Sequence, residues 1–153
     1  TMILIRKQFK FEAAHRVRTA DSCRCKNSIH GHSYIVEVFL KNDKNKDMLI
    51  DFATLKNCVG EFFDCLDHAT FLWRGDDPEY IAAVRKFSHR IIMMDRDPTA
   101  ENMARAFLKY CTMVTIGTTS IASVRVHETA TGYAEADTFT VEDNLTVDHP
   151  NDD

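Results

Sequence analysis

Between Cys23 and Tyr34 the chain reads C-R-C-K-N-S-I-H-G-H-S-Y, which sets two thiols and two imidazoles just ahead of a strand-like run. His30 and His32 are two apart, so on an extended segment both side chains leave the same face, about 6–7 Å apart along the strand. Two imidazoles so placed converge on a metal ion if a neighbouring strand brings a third. His15 is the candidate: it ends the run F-K-F-E-A-A-H, and about fifteen residues separate it from His30, enough to fold the two segments side by side. Three imidazoles around a divalent cation leave a fourth position for water or substrate, the usual composition of a catalytic zinc site. Cys23 and Cys25 with His30 and His32 form the rival set, a Cys2His2 structural zinc belonging to an interaction module.

Other residues carry weaker signals. Cys25 lies in a stretch that also holds Arg16, Arg18, Arg24 and Lys26. Cations and metals favour thiolates, so Cys25 or Cys23 is a candidate working thiolate; the plain alternative is an inert loop cysteine. Asp67 and His68 form a carboxylate–imidazole pair able to relay a proton near neutral pH. Glu128, in R-V-H-E-T-A, is an acid in a strand otherwise built for burial, and a buried carboxylate needs a partner. A ring with two adjacent N–H groups, such as a 2-amino-4-oxo pterin or a guanine, would supply one. The plain alternative is an edge-strand glutamate in solvent.

The elements that must position these groups follow from periodicity. Ile3, Ile5, Phe9, Phe11 and Ala13 alternate into a strand ending at His15. Residues 16–29 have no period and read as a loop. From His30 to Lys41 the alternation returns, with Tyr34, Val36, Val38 and Leu40 on one face and Ile35, Glu37 and Phe39 on the other. After a charged turn over 42–47, Asp51 caps a helix to Leu66 whose apolar face is Leu55, Cys58, Val59, Phe62, Phe63 and Leu66. A short helix spans Pro78 to Phe87, with Asp77 at its start. His89 to Asp95 is either a short strand or a buried connection. Thr99 caps a helix to Val114; after a turn at 117–120, Ile121 to Thr129 is a strand, and 135–142 pairs back with it. Residues 144–153 read as a loose tail after one domain over 2–143.

Two hairpins and the helices between them predict an α+β fold, a four-stranded antiparallel sheet with helices on one face. The bare face then calls for an oligomer. A formal net charge of −4 with scattered Lys and Arg gives nucleic-acid binding no support, and no apolar run reaches membrane-spanning length. Five cysteines without a scaffold pattern suit reduced thiols, so the cytosol is the expected compartment.

Six blocks in order, F11-E-A-A-H15, C25-x4-H30-G-H32-S-Y, I50-D-F-x2-L-K56, L66-D-H-A-T70, P98-T-A-E-N102 and V126-H-E-T129, resemble the 6-pyruvoyltetrahydropterin synthase / 6-carboxytetrahydropterin synthase family. The resemblance implies the tunnelling fold, in which ββααββ subunits form a trimeric barrel and two trimers stack into a homohexamer. It implies a catalytic Zn2+ on His15, His30 and His32, with Cys25 as the thiolate, Asp67 and His68 as a proton relay and Glu128 as the anchor of the pterin ring. The block holding Thr99 and Glu101 lines the same pocket. The implied substrate is 7,8-dihydroneopterin triphosphate, with the basic residues near 16–26 available to its phosphates. The expected product is 6-carboxytetrahydropterin, with acetaldehyde and triphosphate released; the alternatives are triphosphate elimination alone, or a non-catalytic pterin- or purine-binding relative. Two features depart from the pattern. The cysteine's spacing from H-G-H leaves Cys23 open as the nucleophile, and the segment from Phe71 to Asp97 is longer than in compact members.

Overall fold

The computed structural model describes residues 2–42, 47–114 and 120–149. The turns expected over 42–47 and 117–120 therefore lie almost wholly outside the described residues. Thirteen-residue alternating runs form β1 (Ile3–His15) and β2 (His30–Asn42), which pair antiparallel from Ile3 opposite Asn42 to His15 opposite His30. Tyr34, Val36, Val38 and Leu40 are buried on one face, as their spacing predicts. Then come α2 (Phe52–Leu66), β3 (Ala69–Trp73), α3 (Pro78–Phe87), β4 (Ile91–Met94), α4 (Ala100–Val114), β5 (Ser120–Thr129), β6 (Gly132–Ala136) and β7 (Leu145–Val147), after a five-residue α1 (Cys23–Asn27).

Local chemistry starts each long helix. Asp51 accepts from the Ala53 amide at 2.8 Å, Asp77 from the Glu79 amide at 2.9 Å, and the Thr99 hydroxyl from the Asn102 amide at 3.1 Å. The core then forms where α2 (Leu55, Val59, Phe62, Phe63) and α4 (Met103, Phe107, Cys111) lie on Phe11, Tyr34, Val36, Val38, Val124 and Val126. Burial pushes the Cys111 thiol up to about 12, as expected of an inert core sulfur.

The sheet corrects the four-stranded expectation: it has seven strands in the order β6-β5-β2-β1-β3-β4-β7. β3 runs parallel to both β1 and β4, so the sheet is mixed. Helices do not keep to one face either. Phe71, Ile92 and Met94 join the main core, whereas Leu72, Ile91 and Met93 form a second cluster with Val84 of α3, which puts α3 on the opposite face from α2 and α4. Covered on both sides, these strands lose their alternation, and all of β4 is buried.

Three local expectations also change. The loop over 16–29 contains α1, which carries both cysteines. The partner of β5 lies at 132–136, not 135–142, because the turn is tight enough to set Thr129 opposite Gly132. The tail is not loose over its described part: Leu145–Val147 pairs with β4, and the Ile91 amide donates to His149 Nδ1 at 2.9 Å.

Candidate active site

The β1–β2 register brings the three histidines together. His15 stands opposite His30, and His32 follows two residues along the same face. Ring centroids are 4.6 Å apart for His15 and His30, and 5.1 Å from His32 to each of them. One nitrogen from each ring lies within 4.8 Å of the others.

Hydrogen bonds fix which nitrogens are free. His15 is 1 % exposed, and its Nδ1–H donates to the Pro98 carbonyl at 2.7 Å. Its Nε2 is then a buried lone pair with no hydrogen-bond partner. His30 Nδ1–H donates likewise to the Ser28 carbonyl at 2.9 Å. Ring N–H to carbonyl on one side and an open lone pair on the other is the arrangement that orients metal-bound histidines. Burial pushes the His15 pKa down to about 4 and lowers that of His32, so both stay neutral, the ligating form, near pH 7. Three imidazoles, one of them with a buried unpaired nitrogen, fit a zinc-type ion.

The rival Cys2His2 set is not assembled, because among the described residues the potential ligand cluster holds the three histidines alone. Cys23 is exposed on α1, its sulfur accepting from the Asn27 side-chain Nδ2 at 3.2 Å, and Cys25 is half-buried on the same helix. The three histidines therefore form the candidate ligand set without a thiol.

Glu128 extends from β5 on the same face as the histidines, its Oε1 3.8 Å from His15 Nε2. Its carboxyl is half-buried; desolvation and the nearby Glu101 raise its pKa. Arg125 does not neutralise it: that guanidinium pairs with Glu135 on the other face. Glu101 and Glu128 line one cleft of about 210 Å³ with Ala100 and Tyr133. Thr99 sits beside it as the cap of α4.

Asp67 and His68 occupy a separate corner. Asp67 accepts from His68 Nδ1–H at 2.9 Å and from the Glu12 amide at 2.8 Å, and the latter bond, with His68, holds its carboxyl below the usual carboxylate range against the opposing pull of burial. The His68 amide donates to the Glu12 carbonyl at 2.6 Å, which holds His68 in the left-handed region at φ 62. His68 and His32 line a cleft of about 350 Å³ with Glu12 and Ser33. Among the described residues, no hydrogen bond, ion pair or ring contact joins His68 to Cys25 or Glu128 in one chain.

A model of the family described as 6-pyruvoyl tetrahydropterin synthase matches residues 4–138. The chain belongs to the 6-pyruvoyl tetrahydropterin synthase family. Its relatives in the family include two proteins named 6-carboxy-5,6,7,8-tetrahydropterin synthase. One, from Helicobacter pylori strain J99, is 35% identical over 88% of this chain and 72% of its own length. The other, from Aquifex aeolicus, is 30% identical over 86% of this chain and 95% of its own. Two solved structures share the fold. An uncharacterized protein of Wolinella succinogenes superposes with a TM-score of 0.76 at 21% identity, covering 89% of this chain and 98% of that one. The 6-pyruvoyl tetrahydropterin synthase of Caenorhabditis elegans gives 0.63 at 23% identity, covering 90% and 96%.

Within this family frame, sequence reasoning missed the residues that hold the site. Asp97, 5 % exposed, accepts from the Thr19 amide and hydroxyl, both at 2.8 Å, and from the Arg18 amide at 3.2 Å. Pro98 supplies the carbonyl that orients His15. The P-T-A-E-N block marked the region, but a backbone carbonyl leaves no signature in side-chain types. The basic stretch expected to face phosphates is also partly spent: Arg16 grips Asp76 through two hydrogen bonds, and Arg18 donates to the Lys26 carbonyl and Asn27. No helix among the described residues is long and apolar enough to cross a membrane.

Proposed function

We propose that the chain is a zinc-dependent lyase that converts 7,8-dihydroneopterin triphosphate to 6-carboxy-5,6,7,8-tetrahydropterin, releasing acetaldehyde and triphosphate on the way to 7-deazaguanines such as queuosine. It is an enzyme of the 6-carboxytetrahydropterin synthase type, working in the cytosol as a homohexamer. The observation that carries this reading is His15 Nε2, buried and without a hydrogen-bond partner among three converging imidazoles.

Held by His15, His30 and His32, a zinc ion supplies Lewis acidity to the oxygens of the substrate side chain. Glu128 binds the pterin edge: a half-buried carboxylate with no hydrogen-bond donor among the described residues gains most from two adjacent N–H groups. Glu101 shapes the same cleft, and Thr99 fixes the helix end that carries Glu101. Cys25 takes a carbon-bound proton as the thiolate. Asp67 fixes the His68 tautomer through Nδ1–H and leaves Nε2 free to exchange protons in the larger cleft. Oligomerisation is supported by a bare sheet face and by β1, which has a strand neighbour on its β3 side only at Ala13 and Ala14 among the described residues. The names of the two relatives favour the carboxy product over the pyruvoyl one.

Incubating the zinc-loaded protein with the triphosphate and assaying acetaldehyde tests this. Acetaldehyde in step with released triphosphate is expected. Triphosphate without acetaldehyde means the pyruvoyl reaction, and neither product means a binding-only relative.

A further inference from the structure

The loop between β1 and α1 is held from two sides by acids of one segment, Phe71–Asp97. Asp76, at the β3–α3 connection and 7 % exposed, accepts from Arg16 Nε at 3.0 Å and from its NH2 group at 2.5 Å, and also from the Asp77 amide at 2.7 Å. Tyr80 of α3 lies under the same guanidinium, 3.6 Å from the ring centroid. Asp97, just after β4, has all its carboxylate hydrogen bonds with loop residues Arg18 and Thr19. A buried carboxylate is costly unless donors surround it, so each acid stabilises one loop position and penalises its displacement.

That loop is in turn bonded to the thiol helix. The Val17 amide donates to the Cys25 carbonyl at 2.8 Å, and Arg18 donates to the Lys26 carbonyl at 2.7 Å. On the other side of Asp97, the adjacent Pro98 carbonyl holds the His15 ring. A single stretch of backbone therefore grips both the first candidate ligand and the segment bearing the candidate base.

We infer that the β3–α3–β4 segment is a positioning clamp: Asp76 and Asp97 fix the loop over 16–19, and with it the Cys25 helix, against the His15 ring that the same segment holds through Pro98. The inference rests on reading Cys25 as the working base, and it makes Asp97 and Asp76 positioning residues. Neither belongs to the candidate ligand cluster among the described residues.

Asp97→Asn is nearly isosteric but turns an NH2 group toward backbone or hydroxyl donors, so the grip is lost without a large change in volume. In this variant, iodoacetamide is expected to modify the half-buried Cys25 about tenfold faster relative to the already exposed Cys23, because the loop opens locally. The kcat for triphosphate is expected to fall about 100-fold, as for a reacting group displaced by roughly an ångström, with KM and bound zinc unchanged. Thr19→Val, which removes only one hydroxyl, should shift the alkylation ratio in the same direction by less, and it decides the matter if the Asp97 variant does not fold. An unchanged ratio in Thr19→Val and in any folded Asp97→Asn, even alongside lower thermal stability, marks a purely structural role and overturns the clamp. If the wild-type protein turns over no triphosphate, the functional reading fails while the alkylation ratio still reports on the clamp.

Discussion

In the half of the sheet formed by β6, β5, β2 and β1, helices cover one face only; in the half formed by β3 and β4, they cover both. The first half largely keeps the alternation, and its open face carries a polar network in which Glu37, 5 % exposed, accepts from Arg6 at 2.6 Å and lies against His127. All three candidate metal ligands and Glu128 stand on the helix-covered face of this half. The second half carries none of them. It supplies the carbonyl behind His15 and the two acids that hold the thiol loop. The difference teaches that long antiparallel strands carry the candidate ligands while a segment covered on both faces supplies the groups hydrogen-bonded behind them.

Mutations that separate the two halves can break this division. Cys25→Ala should lower turnover about 1,000-fold, roughly 4 kcal/mol of barrier, and leave zinc content unchanged. Surviving turnover would show that Cys25 is not the base. Leu72→Ala, in the second half, removes a side chain 1 % exposed and packed with Val84, Ile91 and Met93. A loss of about 3–4 kcal/mol in denaturant unfolding is expected, with zinc affinity retained at temperatures where the protein stays folded. A matching loss of zinc affinity would mean the halves are not separable.

The smallest expected effect concerns pH. In the metal-free chain the unfolded form protonates His15 below its ordinary 6.5, whereas the folded form resists until about 4. The unfolded state thus binds the extra proton within that window, and stability is lost as pH falls through it, by up to about 3 kcal/mol. Urea midpoints of metal-free wild type and His15→Gln at pH 7 and pH 4.5 check this: the variant should show the smaller drop, and equal drops would contradict a buried neutral His15.

The half with one covered face was legible because alternation, caps and the H-x-H spacing are local signals. Tyr34 to Leu40 announced its buried face, and Asp51, Asp77 and Thr99 cap where they were expected. The other half was legible only in part: Pro78–Phe87 forms the helix expected of it and β4 falls within 89–95, where a short strand or a buried connection was expected, but burial on both sides erases period two from A-T-F-L-W and I-I-M-M, and β7 is only three residues in polar sequence. Site residues divide the same way. His15, His30 and His32 were found by type and spacing, whereas Asp97 acts on Thr19 from 78 positions away, a pairing that no window along the chain contains.

The central claim is an ion held by three imidazoles at an open site. Elemental analysis with circular dichroism, before and after chelation, tests it most directly. Stoichiometric zinc that, once stripped, takes acetaldehyde production with it while the fold persists is the predicted result. Absence of any bound metal, or unfolding of the chain on chelation, would contradict it.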